Sequence, residues 1–272
     1  MRLGGIVILY NPILSDVKNN IEKYLEHLDM LVVWDNTPGG TPKIKETLTH
    51  PKLHMLGTGN NEGIPKALNE AFHYIDKTGC DYILTMDQDS EWEDFAQFKS
   101  NVEKNLDLQY GIYAPQIKSK NVVLRVNSTS NVITSGSIVS ISAFKKVGGF
   151  NEKLFIDEVD NEFCYRLRRN NYKIKLFPSS YLVQIFGSPK NNGYLSKYTA
   201  NYSSFRTYHQ IRNRLWVWKE YHDMLSYKYI MRTILFQIIR RSLLILLIED
   251  SKRSKLLSIF RGIKDGLRQN LK

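Results

Sequence analysis

The chain is 272 residues long, enough for one large domain, or for one domain with an appended tail, and for a substantial hydrophobic core. Hydrophobic residues make up 42% and charged residues 24% of the chain, a balance that excludes a disordered protein and indicates a globular one. The formal net charge of +11 is concentrated near the C-terminus, which favours either an anionic partner or a solvated basic face.

The N-terminal residues and the two cysteines indicate in which cellular compartment the protein is expected. The apolar run at residues 6–10 is too short for a signal peptide, and Pro12 follows it closely, so we expect a first β-strand there. Cys80 and Cys164 match no metal-ligand or redox spacing, and a reducing cytosol is the simplest setting for them. We therefore expect a cytoplasmic protein, and the C-terminal residues leave a peripheral position on the inner face of the cell membrane open.

The first 90 residues alternate between short apolar runs and helical repeats. The runs predict four strands, at residues 6–10, 30–34, 53–56 and 82–86. Helices are predicted at residues 15–28, with Ser15 as N-cap, and at residues 64–77. This order is typical of a parallel α/β sheet, in which ligands bind beyond the carboxyl ends of the strands. Four polar clusters fall at those ends: residues 10–11, 35–36, 60–61 and 87–89.

After about residue 110 the alternation changes. The sequence predicts strands at residues 111–115, 122–126 and 138–141. A helix is predicted at residues 160–170, because Phe163 and Leu167 fall on one face four residues apart. From residue 202 onwards the chain is predominantly helical, with basic and aromatic residues interleaved.

Asp87-Gln88-Asp89 directly follows the fourth predicted strand. Two carboxylates one residue apart can both turn toward a divalent cation that bridges a diphosphate, and Mg²⁺ or Mn²⁺ prefers such hard oxygen ligands. Because Asp-x-Asp is frequent by chance, a solvated acidic turn is the alternative interpretation.

A second acidic cluster occupies residues 157–162. If a helix begins near Asp160, these acids would stabilise its positive end without any further function. Their position downstream of a metal-type motif favours another interpretation. A carboxylate base here would deprotonate a hydroxyl while the metal steadies a diphosphate leaving group.

Several segments, in this order along residues 6 to about 187, carry a resemblance to a known family. They are Ile8-Leu9-Tyr10-Asn11-Pro12, Val33-Trp34-Asp35-Asn36, Asn60-Asn61-Glu62-Gly63-Ile64, Leu84-Thr85-Met86-Asp87-Gln88-Asp89, Ile133-Thr134-Ser135-Gly136-Ser137, Gly148-Gly149-Phe150 and the run from Leu154 to Leu167. The chain resembles family 2 glycosyltransferases, and most closely their bacterial rhamnosyltransferase-type members.

The resemblance implies an α/β fold of the GT-A type, which is the Rossmann-like fold of nucleotide-diphospho-sugar transferases. A mixed central sheet would be flanked by helices and followed by a helical C-terminal extension. The implied catalytic domain covers residues 1–200, with a nucleotide-sugar-binding half at 1–110 and an acceptor-binding half at 111–200. Residues 201–272 would form the helical, basic C-terminal region.

The resemblance also implies a nucleotide-sugar site lined by Tyr10, Asn11, Pro12, Asp35, Asn61, Lys66, Asp87, Gln88, Ser135, Gly136 and Arg212. In it Asp35 would accept a hydrogen bond from a pyrimidine base. Asp87 would face the ribose and the donor sugar, and Asp89, together with Asp87, would ligate Mn²⁺ or Mg²⁺.

Asp160 aligns with the general base of the family, with Asp157 as the second choice. Glu162 and Arg166 would support the base. The chain departs from the family at Gln184, where members often have a His. Because glutamine carries no positive charge, stabilisation of the diphosphate would fall on the metal and on Arg212 or Arg214, and the identity of the sugar stays open.

Residues 229–249 are very apolar, but arginines interrupt them. The uncharged pieces, residues 233–239 and 242–248, fall well short of the ~20 residues that a transmembrane helix requires. Two alternatives remain for this segment. It can lie in the membrane interface, or it can pack on the catalytic domain or on another subunit.

The sequence thus predicts a metal-dependent, inverting glycosyltransferase that moves a sugar from dTDP-rhamnose or a UDP-hexose to a hydroxyl of a bacterial surface glycan. The glycan would be a polysaccharide or a glycoprotein glycan on a lipid- or protein-linked acceptor. One alternative is a nucleotidyltransferase, although Tyr10-Asn11-Pro12 offers no Gly-rich, basic phosphate loop. The other is a non-catalytic polyanion-binding protein that uses the basic C-terminus, which would leave the four polar clusters unexplained. We do not expect a nucleic-acid partner.

Overall fold

The computed structural model describes residues 1–119, 130–184, 190–192, 197–199 and 201–269. Its strands are β1 (Leu3–Leu9), β2 (Met30–Asp35), β3 (Leu53–Leu56), β4 (Tyr82–Asp87), β5 (Ser90–Trp92), β6 (Tyr110–Ser119), β7 (Ser137–Ser140), β8 (Lys173–Gln184), β9 (Lys190–Asn192) and β10 (Lys197–Thr199). Its helices are α1 (Leu14–Glu22), α2 (Ile44–Thr47), α3 (Ile64–Asp76), α4 (Phe95–Glu103), α5 (Ile141–Val147), α6 (Val159–Arg169), α7 (Ser204–Glu220), α8 (Tyr227–Arg232), α9 (Arg241–Leu247) and α10 (Lys252–Arg268). The strand predicted at residues 122–126 lies outside the described residues.

The chain forms two compact units. The sheet unit comprises Met1–Glu152 and Phe163–Ile185, and the helical unit comprises Lys153–Glu162 and Phe186–Lys272. The acidic residues 157–162 therefore belong to the same compact unit as the C-terminal helices. The domain boundary at residue 200 stays a prediction.

The sheet unit is built on one mixed, eight-stranded sheet with the order β3-β2-β1-β4-β7-β6-β8-β5. Strands β1 to β4 run parallel to one another, as the alternation of apolar runs and helical repeats predicted. Strand β7 runs antiparallel to both β4 and β6, so the direction of the sheet changes there. The predicted α/β class with a mixed sheet is confirmed.

The four parallel strands read as continuous apolar runs because both of their faces are covered. Ile6 and Val7 of β1 point to opposite faces of the sheet, and both are buried. Helix α3 packs through Leu68, Phe72 and Ile75, which repeat at helical spacing and are buried. Amphipathic helices over a sheet of this kind bury one continuous core.

The start of α1 differs from the prediction. The helix begins at Leu14 with the extended residue Ile13 as its N-cap, and Ser15 lies inside the first turn. The carbonyl oxygen of Ile13 accepts the amides of Asp16 and Val17, so the backbone closes the first turn without a side-chain cap. The Ser15 hydroxyl donates to the Asp16 carboxylate instead.

The helical unit has its own core. Ile211 and Leu215 of α7 pack with Ile230, Ile245 and Ile259 of the following helices. Residues 227–247 are helical throughout, because π-helical turns at Thr233–Arg240 join α8 to α9. In the described part of the chain, every helix is too short or too polar to cross a membrane.

Candidate active site

Three of the predicted polar clusters meet because their strands are parallel and in register. Leu9, the last residue of β1, pairs with Asp35 at the end of β2. Its neighbour Ile8 pairs with Asp87 at the end of β4. The carboxyl ends of the three strands therefore lie side by side, and the predicted common edge is confirmed for these clusters.

The end of β1 is tied to both of its neighbours. The backbone amide of Tyr10 donates to the side-chain oxygen of Gln88 (2.7 Å), and the side-chain nitrogen of Gln88 donates back to the Tyr10 carbonyl (3.1 Å). The amide of Asn11, a residue with φ of 47°, donates to the Thr37 hydroxyl (2.9 Å). Gln88 and Thr37 thus fix the backbone after β1, where Tyr10 is exposed and Pro12 half-buried.

The carboxylate of Asp35 organises the turn that follows β2. It accepts the backbone amides of Thr37 (3.0 Å) and Thr41 (2.6 Å) and the Thr41 hydroxyl (2.9 Å). Partial burial of Asp35 opposes its ionisation, but these hydrogen bonds outweigh it and hold its pKa below the usual range. Asp35 is therefore a fixed, ionised acceptor at the sheet edge.

A pocket of about 350 Å³ lies beside Asp35 at the ends of β2 and β3. Its lining combines apolar side chains with turn residues: Val33, Asp35, Gly40, Thr41, Ile44, Lys45, Met55, Leu56, Gly57 and Gly59. Gly57 has a φ of 150°, and a Cβ there would lie 2.6 Å from the carbonyl oxygen of Asp35. Only glycine allows β2 and the loop after β3 to approach this closely.

The fourth cluster, in the loop before α3, is linked to β2 by Asn36. The side-chain oxygen of this buried residue accepts the Glu62 amide (2.9 Å), and its nitrogen donates to the Gly63 carbonyl (3.2 Å). Asn61 caps the Gly63 amide (3.1 Å), and Lys66 forms an ion pair with Glu62 (2.6 Å). These contacts tie the loop that carries Asn61, and the first turn of α3 that carries Lys66, to Asn36.

The turn before β7 supports the end of β4. The Gly136 amide donates to the Thr85 carbonyl (2.7 Å) at a φ of 76°, and a Cβ at Gly136 would lie 2.8 Å from the side chain of Leu182. The buried Ser135 hydroxyl donates to the hydroxyl of Ser90 (2.7 Å). Ser135 and Gly136 thus lie at the end of β4, and their contact with a nucleotide sugar stays a prediction.

Asp87 is held from two sides. Its backbone amide donates to the Ser135 hydroxyl (3.2 Å), and its Oδ2 accepts the side-chain nitrogen of Gln184 (2.9 Å). Gln184 is buried, and its own side-chain oxygen has no hydrogen-bond partner in the part of the chain that the structure describes. Asp89 is exposed, two residues beyond the strand end. The motif therefore presents one positioned carboxylate and one accessible one.

These two carboxylates match one kind of metal site. Among the described residues, no group of three or more His, Cys, Asp or Glu side chains is arranged to hold a cation. Mg²⁺ in phosphate sites is held by one or two carboxylates, with the substrate phosphates and waters completing its shell. Asp87 and Asp89 fit that arrangement and do not fit an all-protein cation cage.

The acidic segment of the helical unit is clamped by α7. Arg206 forms an ion pair with Asp157 (3.0 Å), and Arg214 forms one with the buried Glu158 (2.6 Å). The segment has an unfavourable backbone, because Phe155, Asp157 and Glu158 have φ values of 64°, 61° and 63°. Left-handed conformations cost roughly 1–2 kcal/mol per residue, so external contacts are needed to hold three of them.

Asn213 supplies the centre of this clamp. It is fully buried, and its side-chain nitrogen lies 2.8, 2.7 and 3.0 Å from the carbonyl oxygens of Leu154, Ile156 and Asp157. The neighbouring Arg212 donates to the Lys153 carbonyl (3.0 Å). Three consecutive residues of α7, Arg212 to Arg214, therefore hold residues 153–158. The nucleotide contact of Arg212 stays a prediction beside this observed role.

Asp160 differs from the other acids of its segment. It is half-buried, its Oδ1 accepts the Asn161 amide (2.9 Å), and among the described residues it forms no ion pair. Burial, reinforced by the negative charges of Glu158 and Asp157, raises the pKa of Asp160 to about 7. A carboxyl group with a pKa near neutrality is suited to accept and release protons.

The remaining predicted residues have other contacts. Glu162 is buried and accepts the hydroxyl of Tyr221 (2.8 Å), so it is fixed within the helical unit. Arg166, in the sheet unit, donates to the carbonyl oxygen of Val147 (3.0 Å). The supporting roles of Glu162 and Arg166 toward the base stay predictions.

Sequence reasoning missed the residues that hold the site in place. Gln184 was noted only as a departure from the family, and its bond to Asp87 joins positions 97 residues apart. The signal for the α7 clamp was the run Arg212-Asn213-Arg214, which places three polar residues in succession on a helix whose neighbours Ile211 and Leu215 are buried.

The sequence of the chain is similar to a known family and to a protein of named function. Residues 6–174 match the sequence family described as Glycosyl transferase family 2. The chain is 29% identical to a dTDP-rhamnosyl transferase, RfbF, of Shigella flexneri, over 99% of each chain.

Two solved structures share the fold. Staphylococcus aureus TarS, residues 1–349, in complex with UDP-GlcNAc, superimposes with a TM-score of 0.61 at 15% identity, over 98% of this chain and 81% of that one. The mannosyltransferase PcManGT of Pyrobaculum calidifontis, in complex with GDP-Man and Mn²⁺, gives a TM-score of 0.60 at 14% identity, over 98% and 75%. The mixed sheet, its flanking helices and the helical C-terminal region are those of the α/β GT-A fold that the resemblance implied.

Proposed function

The chain belongs to glycosyl transferase family 2 and is a glycosyltransferase of the nucleotide-sugar type, and we propose that it transfers a sugar from dTDP-rhamnose or a UDP-hexose to a hydroxyl of a bacterial surface glycan, with inversion at the anomeric carbon. The observation that carries the proposal is the common edge of β1, β2 and β4, where Asp35 and Asp87 flank the same strand.

The nucleotide base of the donor occupies the pocket beside Asp35. Val33, Met55 and Leu56 supply apolar walls for a planar ring, and the carboxylate of Asp35 supplies an acceptor for an N–H of a pyrimidine. Because the hydrogen bonds from Thr37 and Thr41 keep Asp35 ionised and oriented, no reorganisation is needed when the base binds. The similarity to a dTDP-rhamnosyl transferase favours thymine, and with it dTDP-rhamnose.

The diphosphate lies near the exposed end of Asp87-Gln88-Asp89. Asp89 and Asp87 would hold Mn²⁺ or Mg²⁺, and this ion supplies the positive charge that stabilises the departing diphosphate. Asp87 also faces the ribose and donor sugar, with its orientation set by Gln184 and Ser135. Since Arg212 and Arg214 are engaged with residues 153–158, we propose that the metal would be the main group that stabilises the negative charge of the diphosphate.

Asp160 is the general base. It takes the proton of the acceptor hydroxyl as that oxygen bonds to the anomeric carbon, and the bond from that carbon to the diphosphate breaks with its electron pair. This single displacement inverts the anomeric centre. Asp160 suits the step better than Asp157, because Arg206 neutralises Asp157 whereas the pKa of Asp160 is raised to about 7.

A donor screen tests this proposal. The protein is incubated with Mn²⁺, a surface-glycan acceptor fraction and each of dTDP-rhamnose, UDP-glucose and UDP-GlcNAc, and release of the nucleoside diphosphate is measured. We expect acceptor-dependent release from dTDP-rhamnose and its loss in Asp160→Asn. Asp16→Asn, which changes an exposed carboxylate on α1, is the matched control. Equal turnover by Asp160→Asn would rule out the assigned base, and no release from any donor would contradict the proposed reaction.

A further inference from the structure

Helical residues 227–247 carry a row of large apolar side chains on their surface. The exposed members are Tyr227, Met231, Ile234, Leu235, Phe236, Ile239, Leu243, Leu246 and Leu247. Most of them recur every three or four residues, from Tyr227 through Met231, Leu235, Ile239 and Leu243 to Leu247, and the adjacent Ile234, Phe236 and Leu246 widen this row into a broad helical face, which we name the apolar face. Most of these side chains are about half exposed, and the sequence continues the pattern with exposed Leu257, Phe260 and Leu267 on α10. Soluble proteins rarely leave apolar surface of this extent without a partner.

Basic side chains interrupt and border the apolar face. Arg232 and Arg240 are exposed and stand four residues before and after Phe236, so the three side chains share one side of the helix. Lys252, Arg253 and Arg261 are exposed on α10 of the same unit. Long basic side chains can lay their methylene groups along apolar surface and keep their charges in a polar layer above it.

The charge of this region is strongly one-sided. Residues 227–272 contain 11 Lys and Arg against 3 Asp and Glu. One of the three acids, Glu249, is buried and paired with the buried Lys255 (2.8 Å), so this pair cancels and leaves 10 basic residues against 2 acids. The partner of the apolar face must therefore be apolar at its centre and negative at its margin.

We propose that the apolar face docks this protein on the surface of an anionic lipid bilayer, with helical residues 227–247 lying in the interface. The exposed Leu, Ile and Phe side chains enter the acyl boundary, while Arg232 and Arg240 meet the negative headgroups. Each Lys or Arg near such a surface adds to the attraction. No described helix is long and apolar enough to cross the bilayer, so the contact is peripheral.

A second copy of the chain is the competing occupant, and charge decides against it. In a two-fold dimer the same face meets itself, so both partners would bring the excess of basic residues into one interface. Like charges at an interface repel, whereas an anionic headgroup layer attracts all of them. The proposal does not depend on the donor or acceptor assigned above.

Flotation of the full chain with lipid vesicles tests the docking. One set of vesicles is pure phosphatidylcholine, and the other is an equimolar mixture of phosphatidylcholine and phosphatidylglycerol. We expect binding to the mixed vesicles only, with a decrease at high salt. The double variant Leu235→Ser/Phe236→Ser should bind the mixed vesicles at least roughly tenfold more weakly, because it removes apolar side chains from the face that enters the bilayer. The variant Arg232→Gln/Arg240→Gln should also bind less.

The control variant is Leu108→Ser, since Leu108 is an exposed apolar residue of the sheet unit, and it should bind as the parent does. Circular dichroism establishes that each variant is folded, and turnover in vesicle-free buffer reports on the transferase reaction separately. Absence of binding to the mixed vesicles, equal binding to both sets, or unchanged binding of both double variants would overturn the proposal. If the parent protein does not bind vesicles but forms a concentration-dependent dimer, and Leu235→Ser/Phe236→Ser abolishes that dimer, the apolar face binds a second copy of the chain instead.

Discussion

The side-chain nitrogen of Gln184 donates a 2.9 Å hydrogen bond to Oδ2 of Asp87, although β6 and β7 lie between their strands in the sheet. The bond is possible because β5 turns back beside β8 directly after the Asp87–Asp89 motif, and Ser90 of β5 pairs with Gln184. Glutamine carries no charge, so its hydrogen bond orients the Asp87 carboxylate without adding a positive charge beside it.

Replacing Gln184 with alanine tests this orienting role. Loss of a hydrogen bond to a charged group costs about 1.5–3 kcal/mol, so we expect nucleoside diphosphate in the presence of Mn²⁺ to bind roughly tenfold or more weakly. Titration calorimetry measures the change. Gln97→Ala, which alters an exposed glutamine on α4, should bind as the parent does. Unchanged affinity in Gln184→Ala would show that Asp87 needs no such support.

The pH dependence of turnover should follow the ionisation of the Asp160 carboxyl group. Its raised pKa leaves the carboxyl group protonated, and inactive as a base, below about pH 7. We therefore expect kcat to rise with pH and to level off above pH 7, with a midpoint near the pKa of about 7. The same group lowers stability as pH rises, since the folded state releases a proton near pH 7 that the unfolded state has already lost in mild acid. A flat kcat profile between pH 5 and 9 would contradict the assignment of the base.

Glu158 should tune that midpoint. Its negative charge contributes to the raised pKa of Asp160, so Glu158→Gln should move the midpoint of the kcat profile to lower pH. Arg214→Gln should move it the other way, because it leaves the Glu158 charge uncompensated. Glu26→Gln, in an exposed ion pair of the sheet unit, is the control and should leave the midpoint unchanged. Shifts in the same direction for both variants would contradict this electrostatic account.

Asn213→Ala should loosen the segment that carries the base. Three carbonyl oxygens lose their donor in a buried place, which costs about 1–3 kcal/mol in the free energy of unfolding, as urea denaturation can measure. We also expect a lower kcat with little change in the KM for the donor, since the pocket proposed for the nucleotide lies in the sheet unit. Asn19→Ala, at an exposed position of α1, should change neither quantity by a comparable amount. A purely structural role of Asn213 would lower the amount of folded enzyme and leave kcat per folded molecule unchanged.

The sequence predicts the parallel half of the sheet well, because β1, β2, β3 and β4 are continuous apolar runs that each end at a polar cluster. It does not reveal β8, whose middle residues Phe177-Pro178-Ser179-Ser180 resemble a turn. The register with β6 shifts at that point, and the irregularity accommodates the proline within a strand. Pairing with β6 and β5 stabilises β8 as a strand, whereas its local sequence pattern does not indicate one.

The chemistry-bearing residues were more predictable than the residues that position them. Asp35, Asp87 and Asp160 stand in motifs that resemble those of the family, and the resemblance implies their proposed roles. Gln184 and Asn213 act through contacts with partners more than 50 residues away, which only the folded chain brings together. Likewise, the raised pKa of Asp160 depends on burial and on how arginines are distributed among its acidic neighbours.

Calorimetric titration of the protein with dTDP and with UDP, each with and without Mn²⁺, tests the central claim most directly. The account predicts that at least dTDP binds when Mn²⁺ is present. Its affinity should fall by roughly tenfold or more when Mn²⁺ is omitted or when Asp89 is changed to Asn. Asp160→Asn should bind dTDP as the parent does. If neither nucleotide binds in the presence of Mn²⁺, the sheet edge between Asp35 and Asp87 is not a nucleotide-sugar site, and the account is wrong.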